Sequence, residues 1–177
     1  MKKFELTSEF ITNIFGTKLF RIKALIEFGN VKAGELGGFV EKEENLNHEG
    51  NAWVYGNAEV YGNARVYGNA SVYGNASVYG NASVYGNARV CGDARVCGDA
   101  RVYGNADYAT VHGFGSEYRT TTFFKTKAGE IGVRCGCFYG NLSEFRKKVV
   151  ETHGETKKAK EYLMLADLME FRFSDNS

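Results

Sequence analysis

The 177-residue sequence contains no proline, and this absence bears on the fold that it can adopt. Proline cannot donate a backbone hydrogen bond, so a chain without it can form uninterrupted strand ladders. Cysteine is also scarce, and four residues fit a reducing cytoplasm better than a disulfide scaffold. The composition therefore permits an extended β architecture that does not depend on cross-links.

An excess of one charge and a long hydrophobic run are both missing as well. The 22 basic and 21 acidic residues give a net charge of +1, unlike a nucleic-acid mimic or a generic binder of polyanions. Mixed polar sequence follows Lys2 and Lys3, so we expect neither a signal peptide nor a transmembrane segment. The expected location is the cytoplasm, without a membrane partner.

A six-residue repeat fills residues 51–104 and dominates the chain. Nine hexads follow one another without an insertion, beginning NAWVYG, NAEVYG, NARVYG and ending DARVYG. Such a fixed short period indicates a parallel β-helix. Alanine and valine lie two positions apart in each hexad, so on a strand they share one face, which we assign to the interior. Glycine and asparagine tolerate the positive φ of a repeated corner.

This pattern resembles the hexapeptide-repeat family of left-handed β-helices. The resemblance implies a triangular prism with three hexads per coil, hence three coils, in which residues eighteen positions apart stack. One outward column then holds Tyr55, Tyr73 and Cys91, and a second holds Tyr61, Tyr79 and Cys97. The third, Tyr67, Tyr85 and Tyr103, is the all-tyrosine ladder.

The flanking segments are expected to cap the open ends of the prism, because unpaired strand edges invite aggregation. We assign residues 1–44 to a β-rich N-terminal cap, 45–116 to the β-helix and 117–177 to a small α+β module. Gly34, Gly37 and Gly38 suggest tight corners in the cap, and Leu46 falls at the small position of a degenerate first hexad. A hairpin turning at 127–129 and two helices, beginning near Asn141 and Thr156, make up the module.

The third ladder is the predicted binding surface. Monomers seldom expose a large aromatic patch without using it, and tyrosine and arginine dominate protein interfaces. The predicted binding residues are Tyr67, Tyr85 and Tyr103 as apolar anchors, with Arg65 and Arg101 as hydrogen-bond donors. Exposed tyrosine columns also favour lateral association, so we expect a discrete homo-oligomer, most simply a dimer.

The sequence also contains candidate residues for two kinds of chemistry, acyl transfer and zinc binding. Acyltransferases of similar fold use a histidine base near a loop extruded from the coils, whereas here the coils carry neither, and His112 at the end of the prism is the remaining candidate. We expect Cys135 and Cys137 to share a strand face, and with His153 they could begin a zinc site, but a fourth ligand is not evident. We therefore predict no catalytic residues, no metal and no cofactor.

The head of the chain, residues 19–54, is similar to hexapeptide-repeat proteins carried by bacterial phages and prophages, which are described as transferases or polymer-forming proteins. This resemblance implies a host protein or protein–nucleic acid complex as the partner. The expected function is non-enzymatic binding of a host macromolecule, for example to inhibit a defence system such as CRISPR–Cas. The alternatives are an acyltransferase and a structural, self-assembling protein.

Overall fold

The computed structural model describes residues 1–175, and the chain begins with an antiparallel sheet. Strands β1 (Phe4–Thr12), β2 (Lys18–Ala24) and β3 (Leu36–Val40) lie in that order. Gly37 and Gly38 are not corners, as the sequence suggested, but lie inside β3. A Cβ on Gly37 would approach Val54 O within 2.6 Å, and one on Gly38 would approach Ala58 O within 2.6 Å. The two glycines therefore let β3 lie directly against the prism.

The repeat forms a parallel β-helix of nine two-residue strands, which confirms the predicted fold class. Each strand pairs in parallel with the strand eighteen residues later, as Trp53 pairs with Ser71 and Ser71 with Arg89. The strands are β4 (Trp53–Val54), β5 (Glu59–Val60), β6 (Arg65–Val66), β7 (Ser71–Val72), β8 (Ser77–Val78), β9 (Ser83–Val84), β10 (Arg89–Val90), β11 (Arg95–Val96) and β12 (Arg101–Val102). They make three sheets, which we call the first face (β4, β7, β10), the second face (β5, β8, β11) and the third face (β6, β9, β12).

The interior of the prism is built from the alanines and valines of the hexads. Every one of them is fully buried, as the period-two alternation predicted. The corners are held by glycine at positive φ, for example Gly62 at 68°, whose added Cβ would meet Gly80 N of the next coil at 3.2 Å. Asparagine amides bond to one another along the corners, as between Asn63 and Asn81 at 3.2 Å. Each coil therefore repeats the same contacts as the coil before it.

Strand β3 and Leu46 add a turn at the N-terminal end of the prism, so the β-helix has about four turns rather than three. Phe39 pairs with Glu59, and Leu46 forms a bridge with Val66. Leu46 therefore occupies the valine position of this turn and not the small position to which the sequence assigned it. The shift arises because the turn is irregular and spaces these pairs by twenty residues instead of eighteen.

The two ends of the β-helix differ in the hydrogen-bonding groups that they leave open. Within the column, each coil donates its N–H groups to the carbonyls of the following coil, as from Ser77 N to Ala94 O at 2.9 Å. The first coil therefore presents open carbonyls, which accept from Lys3 Nζ (Ala52 O, 2.9 Å) and Asn45 Nδ2 (Ala64 O, 2.9 Å).

The last coil presents open N–H groups, and these find acceptors in the C-terminal segment. Arg95 N donates to Thr122 Oγ1 at 3.0 Å, and Arg89 N donates to Asn105 Oδ1 at 2.8 Å. Buried backbone groups need such partners, because an unpaired one is destabilising. Donors thus cap the N-terminal end of the prism and acceptors cap its C-terminal end.

The C-terminal module is a four-stranded antiparallel sheet with two helices. The predicted hairpin is confirmed as β14 (Thr121–Lys125) and β15 (Ile131–Cys135), and the sheet order is β13 (Tyr108–Val111), β14, β15, β16 (Phe138–Asn141). Helix α1 (Leu142–His153) has Asn141 as its N-cap, and α2 (Lys157–Phe173) has Thr156, as the sequence predicted. Among residues 1–175, no helix has the length and hydrophobicity needed to cross a membrane.

Candidate binding surfaces on the β-helix

The terminal segments cover parts of the first face. Trp53 points away from the prism axis but is fully buried, with its ring centroid 5.3 Å from that of Phe28 and 6.2 Å from that of Phe4. At the other end of the face, Tyr108 OH donates to Arg89 O and lies 3.8 Å from Cys91 Sγ. The outward columns of the sequence are therefore not equally accessible.

The third face carries the predicted tyrosine ladder in the open. Tyr67 and Tyr85 stack with centroids 5.0 Å apart and planes at 5°, whereas Tyr103 turns to 71° against Tyr85. Stacking half-buries the first two rings, and Tyr103 stays 62% exposed. The ladder therefore presents ring edges and phenolic hydroxyls along most of its length, and a freer aromatic ring at its C-terminal end.

The two arginines predicted for this face have different environments. Arg101 Nη1 donates to Asn81 O and Ala100 O, both at 2.9 Å, so its guanidinium is engaged with the backbone. Arg65 is exposed, and its side chain forms neither an ion pair nor a hydrogen bond with any of residues 1–175. Arg65 is thus the arginine of this pair that has its hydrogen-bonding capacity available.

A cavity of about 790 Å³ lies at the N-terminal end of the third face. Arg65 and Tyr67 line it from the prism, and Glu43, Leu46 and His48 line it from the preceding segment. His48 stacks on Phe4 with centroids 4.3 Å apart, accepts from Lys3 N through Nδ1 and lies 2.9 Å from Glu43 through Nε2. A hydrogen bond from Lys2 is the main reason that the pKa of Glu43 is lowered. This end of the face therefore carries both signs of charge.

A groove of about 960 Å³ runs along the second face, and no local pattern in the sequence predicts it. Its floor is the stacked pair Tyr61 and Tyr79, with centroids 4.9 Å apart and planes at 2°. Residues 12–15, at the end of β1 and in the loop that follows it, line one side, and residues of the C-terminal module line the other. Two segments far apart in sequence thus convert a flat sheet into a groove.

Three arginines line this groove from three different elements: Arg95 on β11, Arg119 before β14 and Arg134 on β15. Burial raises the pKa of Tyr61 to about 12 and that of Tyr79 further, so both hydroxyls are neutral donors at physiological pH. Burial likewise raises the pKa of Glu59, although the charge of Arg95 opposes this effect. Only Arg95 has a sequence signal, its place in the hexad; the other two arginines reach the groove through tertiary packing.

The residues considered for chemistry are dispersed. His112 lines the rim of the groove, and its Nδ1 lies 3.1 Å from Thr120 Oγ1. Cys135 ends β15, whereas Cys137 follows in the turn before β16 and is exposed, so the expectation that they share a strand face is wrong. His153 instead stacks against Tyr162, with centroids 5.8 Å apart. In the described part of the chain, no group of three potential metal ligands comes together.

Comparison with known families finds similarity within the prism. The YdcK β-solenoid repeat matches residues 58–74, 82–98 and 94–106, all in the hexad region or directly after it. No curated protein matches the sequence. The agreement between this repeat family and the observed coils shows that the chain is a β-helix repeat protein.

Proposed function

We propose that the protein is a non-enzymatic interaction protein that binds a host protein through its third face. The observation that carries the proposal is the open ladder of Tyr67, Tyr85 and Tyr103, next to a guanidinium on Arg65 without a partner in the described chain. Tyrosine supplies rigid contact area with a polar tip, and arginine supplies directed hydrogen bonds, so both are frequent in interface hot spots.

The charges around this face favour a protein partner over a nucleic acid. Glu43 and Glu44 share the adjoining cavity with Arg65, and carboxylates would repel a phosphate backbone. A protein surface, by contrast, offers both signs of charge and apolar side chains for the tyrosine rings. The expected complex therefore depends only weakly on salt.

The resemblance to phage-borne hexapeptide-repeat proteins supports a bacterial host protein as this partner. The narrower hypothesis is a component of a defence system such as CRISPR–Cas, which the protein would inhibit by occupying a surface. Four unpaired cysteines are consistent with the reducing cytoplasm of a host cell as its location. An acyltransferase and a self-assembling structural protein remain the alternatives.

The test compares two double variants in capture experiments from bacterial lysate. Arg65→Glu with Tyr103→Ala changes the third face, and Arg89→Glu with Tyr73→Ala makes the matched change on the first face, where both residues are also exposed. We expect the first variant to lose the captured protein and the second to keep it, with nearly unchanged melting temperatures. Equal capture by both variants would contradict the assignment.

The defence-system hypothesis has its own readout in phage plating. In cells with an active CRISPR–Cas system, expression of the wild-type protein should restore plaques of a targeted phage, and the third-face variant should not. Unchanged plating in the presence of normal capture would remove this narrower hypothesis and leave the binding proposal standing.

For the self-association expected from the sequence, we propose the outer side of α2 as a further surface beside the tyrosine columns. The outer stripe of α2, defined as Met164, Leu168 and Phe171, is exposed to 71%, 53% and 69% on the side opposite the buried residues of this helix. The helix starts with Lys157, Lys158 and Lys160, and Asp175 lies just beyond its end. Asp167 and Glu170, in its second half, are already bonded to Arg146 of α1 at 2.8 Å. Two antiparallel copies would therefore pair the stripes and place lysines opposite carboxylates, in a closed two-fold dimer.

Light scattering of the full chain measures this association. We expect twice the chain mass for the wild type and the single mass for Leu168→Glu. Val150→Glu on α1, which replaces a side chain of the same 53% exposure, should stay dimeric. A monomeric wild type at high concentration would contradict the dimer.

A further inference from the structure

The groove on the second face is separate from the surface on which the proposed function rests, and it has an unusual charge distribution. Within residues 1–175, the side chains of Arg95, Arg119 and Arg134 form no ion pair and no hydrogen bond, although acidic and basic residues are nearly equal in number. Two carboxylates also line the groove, and one of them, Asp93, is two residues before Arg95. Glu59 is two coils above Arg95, which is about 10 Å along the prism, and Asp93 accepts from Asn75 Nδ2 at 3.4 Å.

Arg134 is held in place without having its donors satisfied. Its Nε is out of contact with solvent and has no hydrogen-bond partner in the described chain. The residue as a whole is half-buried, but a buried donor such as this Nε is normally paired, because an unpaired one is destabilising. The strand position of Arg134, between β14 and β16 in the sheet, fixes where this group lies relative to the groove.

The neighbours of Arg134 do not neutralise it. Burial is the main cause that raises the pKa of Tyr61, Tyr79 and Cys97, and the positive charge of Arg134 lowers it to a smaller extent. These groups therefore stay protonated near neutral pH. The groove keeps its positive charge at the end next to the C-terminal module, while its other end offers the neutral hydroxyls of Tyr61 and Ser77 and the carboxylate of Glu59.

We infer that the groove binds a small molecule that carries a phosphate monoester on a hydroxylated carbon skeleton, the chemistry of a sugar phosphate. The phosphate would lie between Arg95, Arg119 and Arg134, because guanidinium forks match phosphate oxygens and a dianion suits several cations. Hydroxyl groups of the carrier would bond to the polar floor. The volume of about 960 Å³ is within the range of small-molecule sites.

Isothermal titration calorimetry on the full chain tests the inference with glucose 6-phosphate as the probe. We expect saturable binding that weakens as salt is added. Inorganic phosphate, glucose and glucuronate each carry part of the chemistry, and each should bind more weakly than glucose 6-phosphate. No saturable binding of glucose 6-phosphate would overturn the inference. Equal binding of glucuronate would overturn the phosphate assignment, and equal binding of inorganic phosphate would overturn the role of the hydroxyl groups.

The repeat supplies a matched pair of variants for the same titration. Arg95→Gln and Arg89→Gln change the same hexad position in the same coil, both at exposed side chains, and Arg95 alone of the two lines the groove. We expect the Arg95 variant to bind glucose 6-phosphate about tenfold to a hundredfold more weakly, and the Arg89 variant to bind it unchanged. Equal losses in both variants would mean nonspecific charge attraction and would refute the site.

Discussion

Lys3 connects the N-terminal strand to the open carbonyls of the first coil, and its burial predicts a specific pH dependence of stability. The side chain is 1% exposed, and Nζ donates to Ala52 O at 2.9 Å and Gly50 O at 3.3 Å. Nζ also lies 4.6 Å from the ring centroid of Phe28. Among the described residues it has no carboxylate partner, and burial lowers its pKa from 10.5 to about 8.

The direction of the effect follows from proton binding in the two states. Between the lowered pKa of about 8 and the ordinary value of 10.5, the unfolded chain holds this proton while the folded chain has lost it. Stability rises with pH wherever the unfolded state binds more protons. Below pH 8 both states are charged, and the folded state carries an unfavourable contribution on the order of 3 kcal/mol. Between pH 7 and 9.5 the free energy of unfolding should gain about 2 kcal/mol from this group.

Urea unfolding followed by tryptophan fluorescence measures this gain, because Trp53 is the single tryptophan and packs against Phe4, the residue next to Lys3. Lys3→Met keeps an unbranched side chain but removes the amino group, and it leaves every other titrating group in place, including Cys97, whose pKa is raised by burial. The difference in stability, wild type minus variant, should therefore increase by about 2 kcal/mol from pH 7 to 9.5. A difference that stays constant across this range would refute the reasoning.

Other predictions concern the core, the capped end and catalysis. Val78 is fully buried behind the second face, so Val78→Ala should lower the free energy of unfolding by about 2–3 kcal/mol. Val78→Asp should unfold the prism, and an Asp variant with a wild-type melting curve would contradict the core assignment. Asn45→Leu leaves Ala64 O without its donor and should lower the free energy of unfolding by about 1–3 kcal/mol. The control is Asn47→Leu at an exposed side chain, which should change stability by less than about 1 kcal/mol in the same urea titration. Acetyl-CoA should release thiol no faster with the protein than without it, and a release that His112→Ala abolishes would favour the acyltransferase.

Much of the fold follows from local patterns in the sequence. The hexad period sets which residues stack, and alanine and valine at alternate positions set which face is buried. The turn at 127–129 and the caps at Asn141 and Thr156 also depend on neighbouring residues, and each is found where it was predicted. A short period repeated without an insertion leaves one register available, so no distant contact is needed to choose it.

Where the predictions were wrong or incomplete, distant contacts decide the outcome. The residues next to Gly37 and Gly38 do not indicate whether these glycines form a turn or allow two backbones to approach closely. The packing of β3 against the prism shows that they allow close approach. The burial of Trp53 on β4 depends on Phe4 and Phe28, which come from the N-terminal cap. Leu46 takes the valine position because the irregular turn shifts its pairing partner to Val66.

The sequence by itself determined the period, the interior and the outward columns of the β-helix, because each depends on residues within one or two coils. Only the tertiary structure decided which columns remain open and where charge collects. Arg119 and Arg134 join Arg95 because the C-terminal sheet packs on the last coil, and residues 12–15 close the opposite side because β3 continues the second face. Such a groove is made by contacts between segments that are far apart in the chain, and a repeat carries no information about what packs against it.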